Sequence, residues 1–337
     1  MVITMVGKVP LDILRKYIFC RIGVSDPDVI VGPGYGEDSA VIDLGDRVLV
    51  VHVDPITGAV DWLGWLAVHI SCNDIAVTGA KPRWLLSVLY FPEDASEELI
   101  DTITKQIDNA AKEVGVMVVG GHSEYTPGLN RPLISMTAIG LASKDKYVRT
   151  SGAKPGDSII MTKTAAIEGT AILSTDFAHI LRDKGVDNSV LKRASNFIKN
   201  ISVLPEALVL TDVGVNSMHD PTEGGILGGL AEIAYSSNVK LEVWEDKIPV
   251  AEETKIICDA LKVDPLKLIS SGVLIASVPQ ERVEQALNEI HSLGIKASVI
   301  GKVEEGSGVI IHRKDGSTEQ VGKSVVDELF RIWKIYE

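Results

Sequence analysis

Between residues 40 and 142, strand-like apolar runs alternate with segments whose apolar residues recur at helical spacing, which commits this half of the chain to an α/β layered architecture. AVIDLG and RVLVVHVD predict two strands joined by a turn at Gly45-Asp46. Trp62, Leu66, Ile70 and Val77 predict a helix over 60–78 lying on a sheet, and WLLSVLYF predicts a strand over 84–91. A further helix runs from Ser96 to Glu113, its face marked by Leu99, Ile103, Ile107 and Ala110, with Ser96 as cap and Gly115 as stop. The strand VMVV follows, then GGHSEY as a connection, then the strand LISMTAIGL.

TSGAKPGD at 150–157 is the strongest punctuation in the chain, and 337 residues exceed what one core usually organises. The expected domains are therefore 1–150 and 151–337. The second opens with the strand SIIMTK and passes through a helical region at 165–200 and the loop MHDPTEGG. A helix ending near Tyr235, the strands KLEVW and GVLIASV, a helix over 280–293, strands around Ala297 and Val309 and a final helix complete it. No internal repeat relates the two halves.

Composition excludes several functions. A net charge of −13 without a local basic patch argues against a nucleic-acid surface. Cys20, Cys72 and Cys258 are odd in number and far apart, which fits neither a disulfide framework nor a cysteine zinc site and points to the cytoplasm. The first residues lack the order of a signal peptide, and no uncharged run is long enough to cross a bilayer.

What recurs is acid beside glycine. In VGPGYGEDSAVIDLG, Gly32, Gly34 and Gly36 either form a simple turn before a strand or expose successive N–H groups to a phosphate chain while Glu37 and Asp38 reach a bridging cation. Asp54 ends a strand, where it either faces a crevice or caps a turn. Asn73 and Asp74 interrupt an apolar helix, so the acid must be paired, solvated or metal-bound. In GGHSE, His122 stands beside Gly120 and Gly121 as a metal ligand, a phosphate donor or merely the end of a strand. In MHDPTEGGI, Thr222 is a candidate helix cap, Gly224 permits close backbone approach, and Asp220 lies beside the positive end of the helix. No P-loop, G-x-S-x-G or zinc spacing is present. Such oxygen donors suit magnesium serving bound phosphates.

GEDSAVI at 36–42, NDIAVTGAKP at 73–82, GGHSE at 120–124, SGAKPGDSIIMTK at 151–163, HDPTEGG at 219–225 and SSGVL at 270–274 fall in one order across nearly the whole chain. That ordered set resembles the PurM-like, AIR synthase-related superfamily of ATP-dependent enzymes. Within it, HDPTEGG is most similar to the H-D-P-T-R-G-G of HypE-type hydrogenase maturation proteins. The resemblance implies a two-domain α/β (mixed α+β) fold whose N-terminal domain pairs with a second subunit's to close an intersubunit β-barrel, beside a C-terminal α/β domain. It further implies ATP in a cleft at that dimer interface with Mg2+ held by acids. Carried over by residue, Asp38, Asp74, His122 and Asp220 are the catalytic candidates, and Glu37, Asp38, Asp74 and Asp220 the metal candidates. Gly32, Gly34, Gly36, Asp54, Asn73, Gly120, Gly121, Thr222 and Gly224 are the nucleotide-binding candidates.

Three departures bear on the reaction. The sequence reads LFRIWKIYE where the resemblance would place P-R-x-C, so self-modification at a terminal cysteine in its usual form is not expected. Glu223 replaces an arginine, and His122 replaces an acid. The expected activity is thus ATP- and Mg2+-dependent phosphoryl transfer by a homodimer to a small-molecule acceptor or a modified partner protein. The alternative is a non-catalytic nucleotide-binding homologue or maturation-complex component.

Overall fold

The structure is a computed structural model that describes residues 7–57, 59 and 61–336. The N-terminal domain is built on a six-stranded sheet of β1 (Val29–Val31), β2 (Ala40–Asp43), β3 (Arg47–Ile56), β4 (Lys81–Phe91), β5 (Met117–Tyr125) and β6 (Leu133–Ser143), in the order β1-β2-β3-β6-β4-β5. All neighbours are antiparallel except the parallel pair β4–β5. The period-two pattern of β3 sends Val48 and Val50 into the core, and the same face continues to His52 and Asp54 at the strand's far end.

Two helices cover this sheet. Glu97–Val114 is amphipathic and capped as its sequence predicts: Ser96 accepts from the Leu99 N–H, and Gly115 ends it in a left-handed turn. Leu63–Val77 is buried on nearly every side, because it lies between the sheet and the C-terminal domain's Leu204–Val213 helix. The predicted start of the Leu63–Val77 helix, Val60, lies outside the described residues.

Two local expectations are corrected. GGHSEY is strand, the second half of β5, not a connection. Gly121 makes this possible, because a Cβ there would lie 2.0 Å from the Ser87 carbonyl oxygen of β4. Thr222 does not cap a helix: the Gly225–Ser237 helix starts from Gly224, without a side-chain cap.

The C-terminal domain holds a seven-stranded mixed sheet of β7 (Ser158–Thr162), β8 (Ser217–His219), β9 (Lys240–Trp244), β10 (Ile275–Val278), β11 (Ala297–Glu304), β12 (Gly308–His312) and β13 (Thr318–Val321). Its order is β13-β12-β9-β11-β7-β10-β8. β8 thereby brings His219 and Asp220 to the domain junction, against the loop that carries Asp38. Among the described residues, no helix is long and apolar enough to cross a membrane.

Candidate active site

The junction of the two domains encloses a cleft of about 710 Å³, inside the ~300–1,000 Å³ range of small-molecule sites. Its walls include Gly36, Asp38, Asp54, Asp74, His219 and Thr222. Four separate elements supply the acids: the loop before β2 (Asp38), the end of β3 (Asp54), the Leu63–Val77 helix (Asp74) and the turn after β8 (Asp220).

Asp74 lies where the charges of the other acids meet. Burial raises Asp74 well above the ordinary carboxylate range, and the charges of Asp38, Asp54 and Asp220 raise it further. Asp220 is pushed up to about 7, first by burial and then by Asp38, with the Asn73 amide opposing. Asp54 also rises to about 7, through burial and the charge of Glu223. Oδ2 of Asp74, with the His52 Nε2 at 3.3 Å, and the carboxylate oxygens of Asp220, beside the Asn73 amide, are buried without a well-formed hydrogen bond, a cost of roughly 1–3 kcal/mol for each such group. Orphaned, mutually repelling oxygens of this kind are the donor chemistry of a hard divalent cation.

No three acid, histidine or cysteine side chains among the described residues are gathered as a ready-made cage. Glu37, expected as a ligand, instead meets Arg149 at 3.2 Å and accepts from the Ser151 hydroxyl. Asp38 accepts from the Thr150 hydroxyl at 3.0 Å and pairs with His219 at 2.8 Å. With protein cations within reach, these two acids take them as partners.

Other expected residues are placed differently. Asn73 is clamped to backbone: its amide donates to the Ile201 carbonyl and accepts from the Val203 N–H, fixing the entry to the Leu204–Val213 helix, while its remaining N–H is directed to Asp220. Gly34 and Gly36 line a second cavity of about 320 Å³ beside the cleft. Gly36 has φ +76°, and a Cβ there would sit 3.1 Å from the Glu232 carbonyl oxygen. Gly224 donates its N–H to Asp327. Gly120, Gly121 and His122 lie on exposed β5, where His122 pairs with Glu124 at 3.1 Å; the cleft of a single chain does not include them.

Four residues outside the expected set contribute. His219 bridges Asp38 and Glu232, its Nε2 lying 2.9 Å from Glu232. Burial works against its charge, but Asp38 and Glu232 overcome burial and raise it to about 10. Lys8 reaches Glu232 at 3.2 Å and Glu223 at 3.6 Å, so the acid at 223 meets a lysine. His52 sits 3.3 Å from Asp74 and lies below its ordinary pKa through burial. The HDP tripeptide and the period of β3 are the signals that could have found His219 and His52; nothing local points to Lys8 or Glu232, which are brought together from 224 residues apart.

The AIR synthase related protein N-terminal domain model matches residues 36–142, and the corresponding C-terminal domain model matches 154–314. A protein of Methanocaldococcus jannaschii whose name places it with hydrogenase expression and formation is 32% identical over 95% of this chain and 94% of its own. A selenide, water dikinase of Carboxydothermus hydrogenoformans is 28% identical over 86% of this chain and 90% of its own. Among solved structures, HypE in complex with ATP superposes with TM-score 0.71 at 26% identity, covering 91% of this chain and 92% of that one. A HypE–HypF complex gives TM-score 0.72 at 26% identity, covering 86% and 93%. With both domain models matched in order and a relative aligned over almost its full length, the chain belongs to the AIR synthase related, PurM-like family, on the side of its HypE-type members.

Proposed function

We propose that the protein is an ATP-dependent phosphoryl-transfer enzyme of this family that works with a divalent cation. The observation that carries this reading is the convergence of acids at one domain junction: Asp38, Asp54 and Asp74 line the cleft and Asp220 adjoins its His219, with Asp54, Asp74 and Asp220 raised above the ordinary carboxylate range. The similar HypE structure in complex with ATP supports the choice of nucleotide.

In this reading Asp74 and Asp220 hold the cation, with Asp54 beside them. His219 orients Asp38 and keeps its carboxylate from turning away. Backbone N–H groups at Gly34 and Gly36 face the phosphates, where neutral donors add no competing charge. Bound ATP with its cation supplies an activated phosphoryl group, and positioning with charge stabilisation accounts for most of the catalysis in such transfers.

The intersubunit barrel and the homodimer belong to the same proposal. β5 is an edge strand exposed along its whole length, with Met117, Val119 and Tyr125 presented to solvent. An edge of that kind needs a partner or a cover. Pairing β5 with a second copy would also carry His122, Gly120 and Gly121 toward a shared site. Residues 1–150 and 151–337 then serve as the dimerising and covering domains. A protein partner, as in the similar HypE–HypF complex, is compatible with this arrangement.

Steady-state ATP turnover with candidate acceptors tests the enzyme reading. Acceptor-dependent turnover supports it; tight ATP binding with no turnover above background for any acceptor favours a nucleotide-binding module.

A further inference from the structure

Two donors in the cleft have nothing to donate to. The Arg131 Nη1 and the Trp333 Nε1 are both buried without a hydrogen-bond partner. They stand together: the Arg131 guanidinium lies over the Trp333 ring, 4.6 Å from its centroid, and both residues line the cleft with Phe330. Trp333 also packs edge to face with Phe177, at 5.3 Å and 86°. The pair therefore joins the β5–β6 connection to the final helix, Glu328–Tyr336, and is built by neither of the elements that carry the acids.

A guanidinium does not shed its proton, and stacking occupies its face while leaving the in-plane N–H edge free. An unpartnered buried donor is costly, more so when charged. Arg131 has no carboxylate partner among the described residues, although Asp54 and Glu223 line the same cleft. A planar fork beside an indole N–H matches the oxygens of a carboxylate or a phosphate.

We propose that Arg131 and Trp333 form an oxyanion-binding subsite that receives the carboxylate or phosphate of the acceptor substrate. This rests on the proposed phosphoryl-transfer reading and narrows it: the acceptor is an anion, seated on the aromatic wall and away from the carboxylates that hold the nucleotide's cation.

The test titrates the full chain, with and without a saturating non-hydrolysable ATP analogue and magnesium, with inorganic phosphate and separately with succinate. Wild type should bind one of these anions at one site per chain. Preference for succinate assigns a carboxylate acceptor, and preference for phosphate a phosphorylated one. Arg131→Gln should weaken that binding roughly tenfold or more, and Trp333→Phe, which keeps the ring but loses the N–H, by a smaller factor. Both should leave the affinity for the ATP analogue unchanged. Anion binding that survives Arg131→Gln, or no anion binding by wild type in either condition, overturns the subsite. Equal loss of analogue affinity in Arg131→Gln assigns the pair to the nucleotide and overturns it too. Failure of the analogue to bind wild type counts against the phosphoryl-transfer reading, while the anion titration without nucleotide still decides the subsite.

Discussion

His219 Nδ1 lies 2.8 Å from Asp38 Oδ1, so a strand end of the C-terminal domain holds an acid of the N-terminal domain across the cleft. Its other nitrogen holds Glu232. Both acids are largely buried, and the imidazolium between them, with Lys8 on Glu232, supplies the charge that makes their burial tolerable.

His219→Ala should therefore destabilise the protein by about 3–5 kcal/mol, the range for removing one partner of a buried ionic network. Urea denaturation near pH 7 measures it, and His219→Gln should lose less. Because His219 is raised from 6.5 to about 10 in the folded state, its contribution is complete below pH 6.5 and is lost as pH rises through about 10. A loss under 1 kcal/mol for His219→Ala would contradict the bridge.

Lys163 and Glu206 form a second buried pair, at 2.6 Å, and Lys163 also donates to the Ser202 and Gly272 carbonyls. Lys163→Met should cost about 3–5 kcal/mol by stranding the Glu206 charge. Adding Glu206→Gln should recover most of that loss, since the stranded charge disappears with it. A double variant no more stable than Lys163→Met would show that the lysine's carbonyl contacts, not the pair, carry the effect.

Glu168 is buried, accepts from the Ser271 hydroxyl, and is raised from 4.5 to about 8, chiefly by burial. A carboxyl raised in the folded state favours folding most below pH 4.5, and that advantage declines as pH rises from 4.5 through 8. Glu168→Gln should flatten this part of the stability profile, by an amount on the order of a few kcal/mol across the window. Thermal melts of both forms between pH 5 and 8.5, roughly the interval of the shift, check it. Parallel profiles would contradict the assignment.

The exposed edge of β5 yields a prediction about assembly. Sedimentation at micromolar concentration should give a dimer, and Val119→Glu, which puts a charge on the proposed seam, should give a monomer with unchanged circular dichroism. A monomeric wild type would remove the barrel from the account.

The alternation of strand and helix, and the caps of Glu97–Val114, were legible because they are local: Ser96 and Gly115 act within one turn of the helix they bound. The acids were legible through motif and period, since the face of β3 that buries Val48 and Val50 must also present Asp54. Asn73 was only half legible: motif order places it beside Asp74, but that its amide clamps backbone 130 residues away is not written in any local pattern. GGHSEY read as a connection, yet it continues β5, with Gly121 packed against Ser87 of β4. Lys8, His219 and Glu232 act through partners far away in sequence, and no window of residues contains that information.

The most direct test of the central claim is calorimetric titration with ATP, with and without magnesium, of wild type, Asp74→Asn and Asp220→Asn. The account predicts magnesium-dependent binding near one site per chain for wild type and its loss in both variants, with the fold intact. Unchanged affinity in the variants, or binding indifferent to magnesium, would contradict the carboxylate-held cation on which the proposed activity depends.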